Sequence, residues 1–548
     1  MSPATGEAML YRDIGSGLPN ELGALSHDAA IDHLRNYLGN FYLDAAVAAA
    51  YINRLGIIPP EQVTRRIRNW QLYLLKKYAQ FRLFDEEIAG MAASADPAAA
   101  ERLAALKRCA LPEPLTRKIT ALLQEDTAKG YDAARKIFGD SPHSPAVMEL
   151  MLSAELTLNI PAAKDWLDKA ALPPILRPSF DFLLMRTRLA QGNAAGAREL
   201  YEQNPLFFTD EYRLIVAAET LAQTGDREKA LRLYQRACRL DPARTAATYR
   251  MEELARPLIG DNSLLNAKIA VCLYSWNKSG LLQAALRSLA ASDIGGAKVL
   301  VLLNGCTDDS FDAVSALNQQ LFGGRIEIIS LPVNVGAPAA RNWLLAAQSC
   351  READYVAFRD DDVTCRPDWL PKMLAVLKNT PGAGVVGAKI LAPGAPKRLQ
   401  YLYRNISAAQ EGILRLSLSA PDFHYDCGFY DLTRPTATVM GCCHVLTRAA
   451  CDAATGFDLR FSPSQMDDIC HDLDLCLKGF KVMYCGLVEC EHFQESGIGR
   501  DAKIDLAKFG QVRGNDVKFY YRFAERLPQM KALSNLAEAP DVPAHLSD

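Results

Sequence analysis

No stretch of this sequence approaches the roughly 18 uninterrupted apolar residues that a membrane-spanning helix needs. Its start, MSPATGEAMLYRDIG, lacks the basic segment and apolar core of an export signal. Charge of one sign is missing too. With 61 Lys and Arg against 64 Asp and Glu, the net charge is -3, which gives no footing for nucleic acid or another polyanion. Low complexity is absent, since 49% apolar and 23% charged residues are the proportions of a folded chain. Zinc-type spacing is likewise lacking. The densest cysteine group, Cys470, Cys476, Cys485 and Cys490 with His471 and His492, contains no C-x2-C pair. These cysteines read as small buried thiols, expected to be reduced in a cytoplasmic protein.

What is present is length. A chain of 548 residues implies two or three domains. Up to about residue 262 the pattern is helical, with Ala, Leu, Arg, Glu and Gln at 3.6-residue periodicity broken by short Pro or Gly turns. Within it LAQGNAAGARELYEQ echoes AQTGDREKALRLYQR, placing Gly192 over Gly225, Ala197 over Ala230 and Tyr201 over Tyr234. A fainter copy has Ala163 and Leu167 in the places of Ala197 and Tyr201. A period near 33 residues, small residues where helices must approach, and Leu240, Asp241, Pro242 closing the second helix resemble the tetratricopeptide repeat. Such helix pairs stack and expose a concave face that grips an extended peptide or protein, or else they brace a neighbouring domain. The boundaries expected are a helical region over 1–128 and tetratricopeptide-like repeats over 129–262.

From Asn266 the grammar changes. KIAVCLYS, LLQAALRSLAAS, AKVLVLLN, FDAVSALNQQLF and IEIISL alternate strand and helix, predicting a mostly parallel, Rossmann-like sheet with ligands at the carboxyl ends of its strands. The strongest motif lies there. YVAFRDDDV is an apolar strand ending in Asp360, Asp361 and Asp362. Adjacent acids repel unless a cation sits among them, and a divalent ion on a diphosphate supplies that charge. A solvated acidic turn is the plainer alternative.

The order of motifs over residues 267–495 resembles the family-2 inverting glycosyltransferases of GT-A fold. The resemblance is carried by Leu273 to Lys278, by Leu303 to Asp308, by Asn334, Val335, Gly336 with Ala340, Arg341, Asn342, and by Pro367 to Leu370. Gly441 and Gly456, Phe457, Asp458, Arg460, Phe461 complete it. It implies a GT-A catalytic domain over 263–500 that uses a nucleotide-sugar donor with Mn2+ or Mg2+. Asp362 and Asp360 would form the metal pair, Asp360 also lying near the donor ribose or Arg341, and His492 would complete the metal shell. Tyr274, Ser275, Asn304, Asp308, Asn334, Gly336, Arg341 and Asp361 would lie along the donor. Leu303 departs from the pattern, standing where the family commonly has an Asp that reads uracil, and it has no hydrogen-bonding group. This weakens the expectation of a uridine donor.

The family's catalytic base is the Asp of an E-D pair that precedes a helix and then G-Y-[KR]-V. MDDICHDLDLCLKGFKV aligns two ways. Matching words selects Asp472; matching helix length before Gly479 selects Asp468. Four residues apart, the two share a helix face. The whole implies an inverting transfer to a hydroxyl of a protein or peptide held by the repeats. Assembly of lipid-linked or surface polysaccharide is the alternative, and a decayed, non-catalytic scaffold a third. Residues 501–548 carry a basic, aromatic helix around Lys518 to Arg522, which either touches acceptor or membrane or packs back on the domain. A tail expected to be disordered follows.

Overall fold

The computed structural model describes residues 10–14, 17–93, 97–162, 164–243, 245–421, 425–493 and 506–534; the tail expected to be disordered lies outside them from residue 535. Helices fill the chain from Leu18 to Ala255. The two repeats read from sequence are the consecutive pairs Arg177–Ala190 with Ala194–Gln203 and Glu211–Gln223 with Arg227–Leu240. Each pair turns at a glycine with left-handed backbone, Gly192 at φ 77° and Gly225 at φ 87°. After each, an N–H reaches back five residues along the helix end, Asn193 to Arg188 O and Asp226 to Leu221 O, both at 2.8 Å. The same Asn193 and Asp226 side chains then cap the next helix through Gly196 N–H and Lys229 N–H. Ala197 and Ala230 are fully buried, which lets the paired helices approach closely.

The second half is an α/β unit on a ten-stranded sheet. Its strands, with a separate hairpin, are β1 (Ile269–Ser275), β2 (Lys298–Asn304), β3 (Ile326–Leu331), β4 (Tyr355–Arg359), β5 (Val363–Cys365), β6 (Ala383–Ala392), β7 (Arg398–Tyr401), β8 (Ile406–Gln410), β9 (Ile413–Leu416), β10 (Thr433–Thr436), β11 (Cys443–Thr447) and β12 (Lys481–His492). The order is β10-β12-β6-β11-β4-β1-β2-β3, with β5 added to β12 and β7 to β6, while β8 and β9 form the hairpin. Neighbours β3, β2, β1 and β4 run parallel, as do β6 and β12; β11 enters antiparallel between β4 and β6. The apolar runs of β1 and β2 are buried along nearly their whole length, as strands covered by helices on both faces must be.

One sheet face packs on Ser279–Ala290, Ser310–Leu321 and Trp369–Asn379. The core of the other face runs without interruption into the helical half, from Leu22 to Tyr484. Polar contacts reinforce that junction. Asn36 Nδ2 donates to Ile406 O at 2.9 Å, Asn405 Nδ2 to Asn40 Oδ1 at 2.6 Å and Arg434 Nη1 to Gly39 O at 3.0 Å. Arg250 clasps buried Glu219 and also donates to Asp431 O at 2.7 Å. The helical half is therefore seated on the insert between β6 and β11. The C-terminal helix Leu506–Phe523 packs back on the domain, with Phe519 and Tyr520 buried and Arg522 paired to Asp458 and Asp474. Among the described residues, no helix is long and apolar enough to cross a membrane.

Candidate active site

At the carboxyl ends of β1, β2 and β4 opens a cavity of about 430 Å³. Both ends of the acid triplet, the helix Asp467–Leu477 and the end of β12 face it. Of the residues expected there, Tyr274, Ser275, Asn304, Asn334, Gly336, Arg341, Asp360, Asp361, Asp362, Asp468 and His492 line it. Asp308 and Asp472 do not.

The triplet leaves β4 with Asp360 N–H bonded to Cys442 O at 2.9 Å. Its three carboxylates meet different partners. Asp361 accepts from the Ser275 hydroxyl at 2.6 Å, and burial pushes its carboxyl up to about 7 even though Lys278 works to lower it. Asp362 receives Lys278 Nζ at 2.8 Å on Oδ2 and faces His492 Nε2 at 3.1 Å on Oδ1. Burial would raise Asp362, but His492 and Lys278 outweigh it and hold the carboxyl down, at about 2. Asp360 is raised by burial, with Arg341 opposing.

This donor set fits a divalent cation. Asp360, Asp362 and His492 bring one oxygen, one oxygen and one ring nitrogen within 4.8 Å of each other. The buried Oδ1 atoms of Asp360 and Asp362 accept no hydrogen bond among the described residues. Gln400 settles the imidazole's direction. Its amide nitrogen donates to His492 O, so its amide oxygen is the atom 2.8 Å from Nδ1 and takes the proton there. Nε2, which faces Asp362 Oδ1, is thereby the ring nitrogen a cation would take in place of a proton, the arrangement typical of a metal-ligating histidine and its outer partner.

Arg341 joins the triplet to the opposite wall. Its Nη1 pairs with Asp467 Oδ2 at 2.6 Å, its Nη2 stands 3.6 Å from Asp360 Oδ1, and its guanidinium lies over Tyr274 and Phe457. Next to Asp467, in the first helical turn, Asp468 receives Gly441 N–H at 2.8 Å on Oδ2 and lines the cavity. A Cβ on Gly441 would lie 2.8 Å from Asp468 Cβ, so glycine is required for the carboxylate to stand there. Asp472, one turn on, is buried, receives Val439 N–H at 3.0 Å and faces His471. Burial raises its carboxyl.

Asp308 also does something other than line the donor site. Its oxygens accept from Ser279 N–H, Ser310 N–H and the Ser310 hydroxyl, holding two turns together. Leu303 points into the apolar core, 2% exposed, and reads nothing in the cavity. Asn304 and Asn334 shape the rim, with Asn304 Nδ2 donating to Asn334 Oδ1 at 2.9 Å. Sequence reasoning gave no role to Lys278 or Gln400, nor to Gln511 and Val512 of the C-terminal helix, which line the cavity. Lys278 lay inside a recognised motif, but Gln400 and Gln511 carried no local signal.

Residues 270–438 match the family described as Glycosyl transferase family 2. Among curated proteins, an uncharacterized protein, y4gI, of Sinorhizobium fredii is 30% identical over 169 residues, which is 30% of this chain and 18% of that protein. The chain thus spans under a fifth of that relative's length. The solved mannosyltransferase PcManGT of Pyrobaculum calidifontis, in complex with GDP-Man and Mn2+, aligns at 17% identity and a TM-score of 0.34, over 61% of this chain and 89% of that one. GalNAc-T7 with UDP, GalNAc and Mn2+ aligns at 12% identity and a TM-score of 0.34, over 49% of this chain and 51% of that one.

Proposed function

We propose, from a chain whose residues 270–438 form a glycosyl transferase family 2 domain, that the protein moves a sugar from a nucleotide-sugar donor to an acceptor hydroxyl with inversion at the anomeric carbon. One observation supports this above the others. A single cavity holds a cation-ready set, Asp360, Asp362 and His492, and across Arg341 from it a partly exposed carboxylate at a helix start, Asp468. A Mn2+ or Mg2+ ion held by the first set would neutralise charge on the departing diphosphate. Asp468 takes the proton of the acceptor hydroxyl as that oxygen attacks from the opposite face. Gly441 N–H holds the carboxylate in place meanwhile. Arg341 keeps Asp360 and the base-bearing helix in fixed relation.

A protein or peptide acceptor is the finer reading. The paired helices at Arg177–Leu240 support it, because stacked helix pairs suit an extended peptide, and Gln223 of the second pair donates to Cys427 O in the insert between β6 and β11. Lipid-linked saccharide is the competing acceptor class.

The test is incubation of the full chain with a panel of nucleotide sugars and Mn2+, following both hydrolysis and transfer to candidate proteins. Release of nucleotide diphosphate that is abolished by chelation and by Asp362→Asn is the expected result. A chain that binds no nucleotide sugar with or without Mn2+ refutes the reading.

A further inference from the structure

Behind the acid triplet, three cysteines from three strands meet. The register of β5 against β12 sets Cys365 opposite Cys490, and Cys443 of β11 lies opposite Arg359 of β4. Cys365 Sγ is 2.9 Å from Cys490 Sγ and 3.9 Å from Cys443 Sγ, and all three sulfurs fall within 4.8 Å of one another. They are not the cysteines grouped by sequence proximity, of which only Cys490 takes part.

A second observation gives the cluster a charge. Arg359 is fully buried beside it, over the Trp369 ring at 5.4 Å. Its Nη2 donates to Val363 O at 3.0 Å, but its Nε and Nη1 find no partner among the described residues, and no carboxylate there pairs with it. A buried guanidinium without a counter-charge is costly. Three neutral thiols would leave it so.

We propose that Cys365, Cys443 and Cys490 form a second metal site, a thiolate site for a zinc-class cation, separate from the donor cation. Three thiolates and a divalent ion sum to one negative charge, which Arg359 neutralises. The three thiol protons pass to solvent on binding. Distances agree with this. Tetrahedral ligands at a zinc–sulfur bond of about 2.3 Å lie about 3.8 Å apart, so Cys443 already stands at that spacing from Cys365, and Cys490 needs to move from Cys365 by less than about 1 Å. The ion would bind together the strands that carry the donor site's ligands. Cys365 follows Asp362 by three residues and Cys490 precedes His492 by two, so the site fixes both from behind.

The experiment uses the full chain purified without metal-chelate resin. Metal analysis is expected to find about one zinc per chain, retained in Asp362→Asn and lost in Cys365→Ser and Cys490→Ser. Replacement by Co2+ in the Asp362→Asn protein is expected to give the intense near-ultraviolet band of thiolate ligation. Where a cysteine variant fails to fold, titration of the unaltered protein with an organic mercurial takes its place, with zinc release followed by a chromogenic chelator. Absence of zinc from the folded protein overturns the proposal. So does zinc that stays in Cys365→Ser, or an intact mass two hydrogens low that marks a Cys365–Cys490 disulfide. None of these outcomes depends on whether sugar is transferred.

Discussion

Two aspartates on one helix face differ in what surrounds them, and that difference decides which can act. Asp468 opens on the cavity and keeps lone pairs free beyond the Gly441 and Ile469 N–H groups it receives. Asp472 is sealed in the core. Asp468→Asn is therefore expected to lower kcat by roughly 10²–10⁴, the usual worth of a positioned general base, with donor affinity nearly unchanged. Asp472→Asn keeps an acceptor for Val439 N–H and is expected to retain most of the activity. Steady-state kinetics on both variants separates them, and the reverse ranking would transfer the base to Asp472. Gln400 makes a second residue-scale case, because it would act on the proposed cation only through His492. Gln400→Leu is expected to weaken Mn2+ binding about 10–100-fold, the range found when such outer partners are removed. Calorimetric titration with Mn2+ reads it, and unaltered affinity would show that His492 needs no orienting.

At the scale of elements, the helix Leu506–Phe523 reaches back to the turn before the base. Asn515 Nδ2 donates to Ser464 O at 3.2 Å and Gln465 O at 3.3 Å, and Gln511 Nε2 donates to Ser464 O at 2.9 Å. These bonds hold Gln465 and Met466 at φ 75° and 71°, a left-handed conformation that side-chain-bearing residues adopt at a cost of about 1–3 kcal/mol. Asn515→Leu removes two of them, each worth about 1 kcal/mol. The expected result is a kcat about ten-fold lower with the donor KM kept; an unchanged kcat would mean the turn holds itself. The strands, the acid triplet and the cavity rim were legible in the sequence because each is a local pattern of apolar runs ending in polar turns. Which of Asp468 and Asp472 faces the cavity was not legible, since periodicity gives a face and not a depth. Asp308 was misplaced because a carboxylate that caps backbone N–H groups and one that meets a ligand look alike in a string of letters. Gln400 and Asn515 act across 92 and about 50 residues of chain, and no spacing rule reaches that far.

Over the whole molecule, the boundary drawn near residue 262 divides two patterns but not two cores. The apolar cluster crosses it, and buried polar groups on the helical side find their partners on the other: Asn40 with Asn405, Gly39 with Arg434, and Arg250 with Asp431. A helical module built only to carry cargo would close its own core and leave this face to solvent. Here the face holds the insert between β6 and β11 instead, so the helical half braces the α/β unit. Cooperativity follows from the shared core, and the full chain is expected to unfold in one calorimetric transition. Arg250→Met provides the sharper measurement. It strands Glu219, a fully buried carboxylate that also receives the Tyr234 hydroxyl, and breaking one partner from a buried pair costs about 3–5 kcal/mol. If the halves are one unit, the single transition moves down as a whole and sugar transfer falls with it. If the helical half were an independent module, the variant would split the trace, leaving the upper transition and the catalytic rate where they were.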